Sequence, residues 1–186
     1  PQPQTVCPFQ PFSLVVLADG TGSLSYQWRK DGVNLPGETS NVLDNFGAFP
    51  EDGGSYDCVI SNGCTTETTN AVSVVVRTPA GFSQHPQSQN VDEGESVTFT
   101  VTGSGTGPFI YQWRKNGVNI TGATSASYHI ASVTADDAGD YTCAITNACN
   151  TANSNIAVLT VNETSDCPAD MNGNGTLDVG DFTAFR

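Results

Sequence analysis

The chain repeats itself: moved by 85 residues, its first half aligns with its second half without a gap. Tyr-Gln-Trp-Arg-Lys occupies residues 26–30 and again 111–115, and Gly-x-Tyr-x-Cys occupies 54–58 and again 139–143. An internal repeat fixes where one structural unit ends and the next begins. The sequence therefore predicts two similar units in series, an arrangement more common in spacers and binding proteins than in enzymes.

We assign the first unit to residues 1–77, the second unit to residues 78–162 and a tail to residues 163–186. The linker between the units is short and contains Pro79 and Pro86, so we expect a semi-rigid connection. Residues 80–85 should form the first strand of the second unit. Pro1 aligns with Pro86, so the first unit lacks this A strand. Either residues upstream were removed, or the first sandwich has an open sheet edge, which a strand from another molecule could fill.

The local patterns predict strands. Residues 96–101 alternate between apolar and polar side chains, as in a half-buried strand. Asn116-Gly117 is a strong hairpin-turn signal, and Gly, Thr, Ser and Asn are abundant while runs of helix formers are missing. About seven short strands per unit, separated by turns, indicate an all-β chain of two tandem β-sandwiches with a short tail.

Two motifs give these sandwiches a family resemblance. Residues 137–143 read Asp-x-Gly-x-Tyr-x-Cys, and Trp113 is followed by Arg-Lys-Asn-Gly; residues 52–58 and Trp28 repeat the pattern. Both halves resemble immunoglobulin-like domains of the I-set kind, and the likeness covers residues 1–161. It also extends to the immunoglobulin-like repeats of secreted bacterial surface proteins, which often carry an Asn-x-Cys turn like Asn62-Gly63-Cys64.

The resemblance implies structural roles for four aromatic residues. Trp28 and Trp113 should pack at the centre of each sandwich, and Tyr56 and Tyr141 should each bond a hydroxyl to nearby backbone in a tyrosine corner. One feature departs from the family. The B-strand cysteine that usually pairs with the F-strand cysteine is replaced by valine, Val16 in the first unit and Val101 in the second, so the usual inter-sheet disulfide cannot form.

The cysteines leave several pairings open. Cys58 and Cys64 recur at the same spacing as Cys143 and Cys149, so each pair could bond within its own F–G hairpin. Cys7 and Cys167 would then remain to cross-link molecules end to end. Alternatively, a bond from Cys7 to Cys149 would join the two units and stiffen them, or some cysteines stay buried and reduced. The disulfide candidates are Cys7, Cys58, Cys64, Cys143, Cys149 and Cys167.

Composition restricts the partners and the compartment. Nineteen acidic residues against six basic ones give a net charge of −13, which disfavours nucleic acid and anionic membrane surfaces. No apolar stretch is long enough to insert into a bilayer. Six cysteines and a single methionine suggest an oxidising compartment. We therefore expect an extracellular or cell-surface location and protein partners, copies of the chain among them.

The tail carries the one motif with metal chemistry. Oxygen ligands at loop positions one, three, five, seven, nine and twelve, with Gly175 at position six, have the spacing of an EF-hand calcium loop. Aspartate at position twelve, where EF-hands usually carry glutamate, makes the loop resemble a dockerin loop followed by a short helix. The predicted calcium ligands are Asp170, Asn172, Asn174, Thr176 (through its carbonyl), Asp178 and Asp181.

Neither histidine suggests catalysis. His85 lies in the linker and His129 points outward from a strand, without a nucleophile and a carboxylate in an evident shared setting. Arg29-Lys30 and Arg114-Lys115 are interpreted as solvated surface. We expect a non-enzymatic extracellular structural or adhesive protein that self-assembles into a fibre by strand addition or end-to-end contacts. The alternative hypothesis is an accessory spacer and anchoring region of a larger secreted enzyme.

Overall fold

Each half of the chain is built around one six-stranded sheet that faces a smaller sheet. The structure is a computed structural model and describes residues 1–162. In the first sandwich the larger sheet has the order β1-β8-β6-β3-β4 with β7 added to β6, and β2 pairs with β5 opposite it. Its strands are β1 (Gln4–Val6), β2 (Phe12–Val15), β3 (Ser25–Lys30), β4 (Val33–Asn34), β5 (Val42–Asn45), β6 (Gly54–Ser61), β7 (Thr66–Thr68) and β8 (Val72–Val76).

The second sandwich repeats this topology. Its larger sheet has the order β10-β18-β16-β13-β14 with β17 added to β16, and β11 pairs with β15. It also contains β9, which pairs antiparallel with β12; the described residues of the first sandwich include no such strand. The strands are β9 (Gly81–Gln84), β10 (Gln89–Asp92), β11 (Val97–Thr100), β12 (Thr102–Ser104), β13 (Ile110–Lys115), β14 (Val118–Asn119), β15 (Ser127–Ile130), β16 (Gly139–Thr146), β17 (Thr151–Asn153) and β18 (Ala157–Asn162).

A buried tryptophan holds the centre of each sandwich. Trp28 and Trp113 have no exposed surface, and each indole Nε1 donates a 2.9 Å hydrogen bond to a backbone carbonyl, that of Ser40 or Ser125. At about 25 cal/mol per Å², burying about 200 Å² of indole contributes about 5 kcal/mol to each core. Because the indole N–H is paired, this burial leaves no unsatisfied polar group behind.

The tyrosine corners predicted from the resemblance are present. The Tyr56 hydroxyl donates to the Asp52 carbonyl at 2.7 Å, and the Tyr141 hydroxyl donates to the Asp137 carbonyl at 2.8 Å. In both sandwiches the accepting aspartate ends a short 3₁₀ turn, Pro50–Asp52 or Ala135–Asp137. The bond ties that turn to the strand that carries the core cysteine.

The hairpin predicted at Asn116-Gly117 is also present. Asn116 and Gly117 both have positive φ, 49° and 81°, the backbone that a two-residue hairpin turn between twisted strands requires. The Asn116 side chain also accepts a bond from the Asp140 N–H at 2.9 Å. The turn therefore sets the register of β13 and β14 and fixes their position against β16.

The all-β prediction and the two tandem immunoglobulin-like sandwiches are confirmed. Residues predicted as strands around Val97, Tyr128 and Tyr141 form strands, and His129 is exposed as expected. Val16 and Val101 are buried in the same clusters as Cys58 and Cys143, respectively. The six predicted calcium ligands and Cys167 lie outside the described residues.

Replacing Tyr141 by phenylalanine should destabilise the second sandwich by about 1 kcal/mol, the net value of one buried hydrogen bond. Urea unfolding followed by the indole N–H signal of Trp113 measures it. Tyr128→Phe is the matched control, since the described residues offer no hydrogen-bond partner to the Tyr128 hydroxyl, and it should cost less at neutral pH. Equal costs would contradict a role for the corner bond.

The same tyrosine predicts a loss of stability in alkali. Burial raises the pKa of Tyr141 to about 12, above its unfolded value of about 10. A raised folded pKa stabilises the protein below the unfolded value, and that contribution is lost as the pH rises toward the folded value. We expect the free energy of unfolding to fall between about pH 10 and pH 12, with part of the fall missing in Tyr141→Phe.

Candidate functional site: the junction between the sandwiches

The linker is bonded to both sandwiches within a few residues. On the first side, the Arg77 N–H donates to the Val6 carbonyl at 2.9 Å, extending the parallel ladder of β1 and β8. On the second side, Thr78 and Thr106 exchange two bonds: the Thr78 N–H donates to the Thr106 hydroxyl at 2.9 Å, and the Thr106 N–H donates to the Thr78 carbonyl at 3.0 Å. Residue 77 is therefore bonded to the first sandwich and residue 78 to the second, so no unbonded residue lies between them.

Asn147, in the turn after β16, organises the second side. Its side-chain nitrogen donates to the carbonyls of Thr78 and Thr106, both at 2.9 Å. Its side-chain oxygen accepts from the N–H groups of Cys149 and Asn150, at 2.9 and 3.2 Å. Asn147 is the one buried polar or charged residue in the described chain, with 8% exposure, and these four bonds satisfy its amide.

Asn150 forms a further pair of hydrogen bonds with the linker. Its side chain accepts from the Ala80 N–H at 2.6 Å and donates to the Ala80 carbonyl at 3.1 Å, as a strand partner would. Gly105 faces the linker from the other side. A Cβ at Gly105 would lie 2.1 Å from the Pro79 carbonyl oxygen, and its φ is +107°, so only glycine lets the linker pass this close.

A disulfide between Cys7 and Cys149 closes the junction covalently. Cys7 follows strand β1 of the first sandwich, and Cys149 lies in the β16–β17 turn of the second, 142 residues later. The Cys7 N–H donates to the Gln10 side chain at 3.0 Å, which fixes the turn that carries it. The interdomain bond, one of the pairings left open by the sequence, is therefore confirmed.

Local pairing within the F–G hairpins is wrong. Strand β6 ends at Ser61, three residues after Cys58, and pairs there with Thr66, so Cys64 lies at the tip of the turn. Three residues of strand span about 10 Å, whereas disulfide-bonded cysteines have Cα atoms within about 7 Å. Moreover, Cys58 lies in register with Trp28, deep in the sandwich, and its side chain has no exposed surface.

The free thiols differ sharply in accessibility. Among the described residues Cys58, Cys64 and Cys143 are free; Cys58 and Cys143 are buried and Cys64 is exposed. Burial raises the pKa of Cys143 to about 11 and also raises the pKa of Cys58. Both core thiols therefore stay protonated and unreactive at neutral pH, as expected for packing residues.

The prediction that the basic residues after the tryptophans are solvated surface needs correction. Arg29 forms an ion pair with Asp57, with Nε 2.6 Å from the carboxylate, and the bond to Asp57 raises the pKa of Arg29. Lys30 and Lys115 each donate to a backbone carbonyl of the 3₁₀ turn in their own sandwich. These side chains are half-buried and bonded within the chain, because β3 and β13 run beside β6 and β16.

Sequence reasoning named the two bonded cysteines but missed the asparagines that hold the linker. The available signal was the repeat itself, since Asn62 and Asn147 stand at equivalent positions two residues before a cysteine. Within residues 1–162, no group of three or more His, Cys, Asp or Glu side chains could hold a metal ion. The same part of the chain contains no helix long and apolar enough to cross a membrane.

Comparisons with known proteins agree with this architecture. Residues 79–147 match the family model of the immunoglobulin domain. The chain is 31% identical to human hemicentin-1 over 150 residues, which is 74% of the chain and 3% of hemicentin-1. It is 33% identical to human Roundabout homolog 3 over 135 residues, which is 67% of the chain and 10% of that protein. The chain thus spans a small part of these relatives.

Solved structures show the same fold. The I-band fragment I67–I69 of titin superposes with a TM-score of 0.77 at 22% identity, covering 88% of this chain and 64% of the fragment. The N-terminal four immunoglobulin domains of Dscam1 isoform 6.9 superpose with a TM-score of 0.55 at 26% identity, covering 87% of this chain and 44% of that one. The likeness to bacterial surface repeats stays a prediction.

Alkylation of the native chain should separate the thiols. Iodoacetamide at neutral pH should modify Cys64 within minutes, and it should modify Cys58 and Cys143 only after unfolding, since their thiols are buried and protonated. Peptide mass mapping without reduction should recover Cys7 and Cys149 in one linked pair of peptides. Native modification of Cys143, or a Cys58–Cys64 linked peptide, would contradict the structure.

Proposed function

We propose that this chain is a stiff pair of immunoglobulin-like units in an extracellular or cell-surface protein of structural or adhesive type, acting through protein contacts at its surface and ends. The single observation that carries this proposal is the junction. Two sandwiches that only needed to be tethered would need neither a disulfide nor a bonded linker. A connection held at Arg77, Thr78 and Ala80 and closed by a disulfide favours a fixed relative orientation.

The disulfide also supports the location. A disulfide between turns of two domains survives in an oxidising environment and is reduced in the cytosol. Hemicentin-1, Roundabout homolog 3 and Dscam1 are immunoglobulin-domain proteins of the adhesion and cell-surface type, which supports an extracellular role and protein partners for this chain. Because the chain spans only a small part of the first two, their whole-protein activities supply no specific partner.

Charge refines the class of partner. With a net charge of −13, the chain repels phosphate backbones at long range, which favours proteins as partners. The described basic side chains Arg29, Lys30, Arg114 and Lys115 are engaged within the chain, so they offer no free cationic patch on the strands after the tryptophans.

Fibre assembly from copies of the chain stays a prediction, and electron microscopy of the purified, oxidised protein tests it. Filaments that lengthen with protein concentration would support assembly, and uniform two-domain particles at the same concentrations would count against it. The reduced protein is a useful second sample, since end-to-end contacts that depend on disulfides should disappear from it.

Rigidity of the junction has a direct test by residual dipolar couplings. Two domains in a fixed orientation share one alignment tensor, so couplings from both sandwiches of the oxidised chain should fit a single tensor. The double variant Cys7→Ser, Asn147→Ala removes the disulfide and the amide bonds to Thr78 and Thr106. Its two sandwiches should require separate tensors that differ in magnitude by about twofold or more, the signature of interdomain motion on the NMR timescale.

The control for that experiment is Cys64→Ser, which changes a free, exposed turn cysteine outside the junction and should keep the single tensor. Two independent tensors in the unmodified oxidised chain would end the proposal of a stiff pair. A single tensor in the double variant would show that the contacts between the sandwiches, and neither the disulfide nor Asn147, fix their orientation.

We also propose that the tail binds calcium, on the strength of its ligand spacing. Isothermal titration of the metal-free chain with CaCl₂ should show one site, which Asp170→Ala or Asp181→Ala should weaken at least tenfold because each removes one of only three carboxylates in the loop. Asp166→Ala, outside the loop, is the matched control. An unchanged titration in the loop variants would contradict the proposal.

A further inference from the structure

One end of the second sandwich holds a groove that the chain itself fills. Strand β9 pairs with β12, with Phe82 opposite Gly103 and Gly81 opposite Ser104. Gly103 lies against Ile145, which is fully buried. Just before β9, Thr78 and Ala80 are hydrogen-bonded to Asn147 and Asn150 of the turn after β16. Residues 78–84 therefore supply a strand that pairs with β12 and backbone groups that form hydrogen bonds with the turn after β16.

The first sandwich has the same groove without the segment. Its lining includes Ala18, Leu24, Ile60 and Asn62, which stand 85 residues before Gly103, Phe109, Ile145 and Asn147. Ile60 is partly exposed where Ile145 is fully buried, and Leu17 at the edge is 91% exposed. Within the described residues no strand lies along this edge.

The turn that would hold such a segment is already formed. The Asn62 side-chain oxygen accepts from the N–H groups of Cys64 and Thr65, both at 3.0 Å, and its nitrogen donates to the Thr21 carbonyl at 3.2 Å. These match the bonds of Asn147 to Cys149, Asn150 and Thr106. The one bond without a counterpart is that from Asn147 to the Thr78 carbonyl, so Asn62 has an amide hydrogen free for a linker carbonyl.

Cys64 completes the equivalence. It occupies the position of Cys149 in the turn, yet it is free and exposed where Cys149 is bonded to a cysteine of the preceding sandwich. An exposed cysteine alone does not define a binding site. Together with the empty groove and the formed turn, it reproduces the groove, the turn asparagine and the cysteine through which the second sandwich contacts a preceding unit; only Asn150 is not reproduced, because its position holds Thr65.

We propose that this end of the first sandwich is an acceptor site for another immunoglobulin-like unit joined in series, one that ends in a linker strand like residues 78–84 and carries a cysteine where the first sandwich carries Cys7. The strand would pair with the edge at residues 17–19, the linker carbonyl would accept from Asn62, and the cysteine would bond to Cys64. This inference rests on the proposed function of stiff units in series and names the partner of its open end.

A second copy of this chain fits the site less well. Its second sandwich has Asp92 where the first has Cys7, and residues 163–166, which follow its last strand, read Glu-Thr-Ser-Asp. The groove is itself lined by Asp19 and Glu67, at positions that hold Ser104 and Ala152 in the second sandwich. Like charges would therefore oppose an acidic linker, whereas the neutral sequence Thr-Pro-Ala-Gly-Phe suits the groove.

Forming the disulfide between Cys64 and the partner cysteine requires an oxidant, and a disulfide of the glutathione class supplies it. The Cys64 thiolate attacks oxidised glutathione and releases one reduced glutathione. The partner cysteine then attacks the mixed disulfide and releases the second. In sum, two protein thiols lose two protons and two electrons, and oxidised glutathione becomes two molecules of the reduced thiol.

A three-unit protein tests the assignment. Residues 1–85 are placed directly before Pro1 of the full chain, so that the new His85–Pro1 bond reproduces His85–Pro86. After refolding in a glutathione buffer, peptide mapping should show the added unit's Cys7 linked to Cys64, with the original Cys7–Cys149 bond unchanged. The matched control carries Cys7→Ser in the added unit alone and should leave Cys64 open to iodoacetamide.

Two outcomes of this experiment would overturn the proposal. One is a folded three-unit protein, with its original Cys7–Cys149 bond, in which Cys64 stays free. The other is Cys64 linked to Cys167, which would make the tail, and not a preceding unit, the occupant of this end. Either result leaves the rigidity of the original junction as it was, because dipolar couplings of the unmodified chain measure that separately.

A second experiment uses a synthetic peptide and does not require a three-unit protein to fold. A synthetic peptide with the sequence of residues 77–86 is added to the ¹⁵N-labelled full chain, up to millimolar concentration. Amide shifts should appear around Leu17, Asn62 and Cys64 and stay absent around Asn147, whose groove is filled by the chain. Asn62→Ala should weaken binding about tenfold, the loss of about 1.4 kcal/mol, while Asn70→Ala, an exposed control, should not.

The comparison peptide has the sequence of residues 162–171 and represents the tail of a second copy. Weaker binding than the linker peptide supports the assignment. Tighter binding would identify copy-to-copy contact as the use of this end, and no shift at Leu17 or Asn62 with either peptide would remove the acceptor site altogether.

Discussion

Each sandwich depends on packing around its own buried indole, because within residues 1–162 no disulfide joins its two sheets. Val16 and Val101 stand in the core where a partner for Cys58 and Cys143 would be needed. Packing must therefore hold the sheets together, and the indole supplies it while donating its N–H to a backbone carbonyl of the facing segment. Phe99 and Tyr128 extend this packing in the second core, stacked against Tyr141 with ring centroids 4.7 and 6.0 Å away. The cysteines left in the strands act as small apolar side chains with raised pKa values.

The disulfide that the chain does form lies between the sandwiches, and its effect differs accordingly. A bond inside one domain restricts the unfolded state of that domain. A bond across a junction restricts the relative motion of two folded domains. Here it acts with hydrogen bonds from Asn147 and Asn150 to the linker backbone, which replace the solvent that a free linker would bind. Proline in the linker reduces its freedom further, so the junction combines a stiff connector, paired backbone groups and a covalent closure.

The sequence predicted the fold well because the repeat, the tryptophan motif and the turn signals all point to the same architecture. Asn116-Gly117 determines its own backbone, and the tyrosine corner depends on residues only four apart. The junction was harder to predict, because it joins Cys7 to Cys149 across 142 residues and neither local propensity nor periodicity encodes such a contact. Local cysteine pairing, one of the alternatives that the sequence left open, fails for a geometric reason, because an extended strand keeps Cys58 away from the tip of its own hairpin. The ion pair of Arg29 with Asp57 was likewise hidden, since it lies across two strands that are 28 residues apart.

The turn after β6 and the turn after β16 are two copies of one local structure. They show nearly the same hydrogen bonds, although one holds a linker and the other holds nothing within the described chain. If the linker shaped the turn, the unfilled copy would differ; since it does not, the turn is set by its own asparagine and its place at the end of β6 or β16. A turn formed in advance binds a linker without the entropic cost of ordering itself. The orientation of successive units is then determined by the domain that receives the linker more than by the linker, and Asn62 and Cys64 give the first sandwich the same means of receiving one.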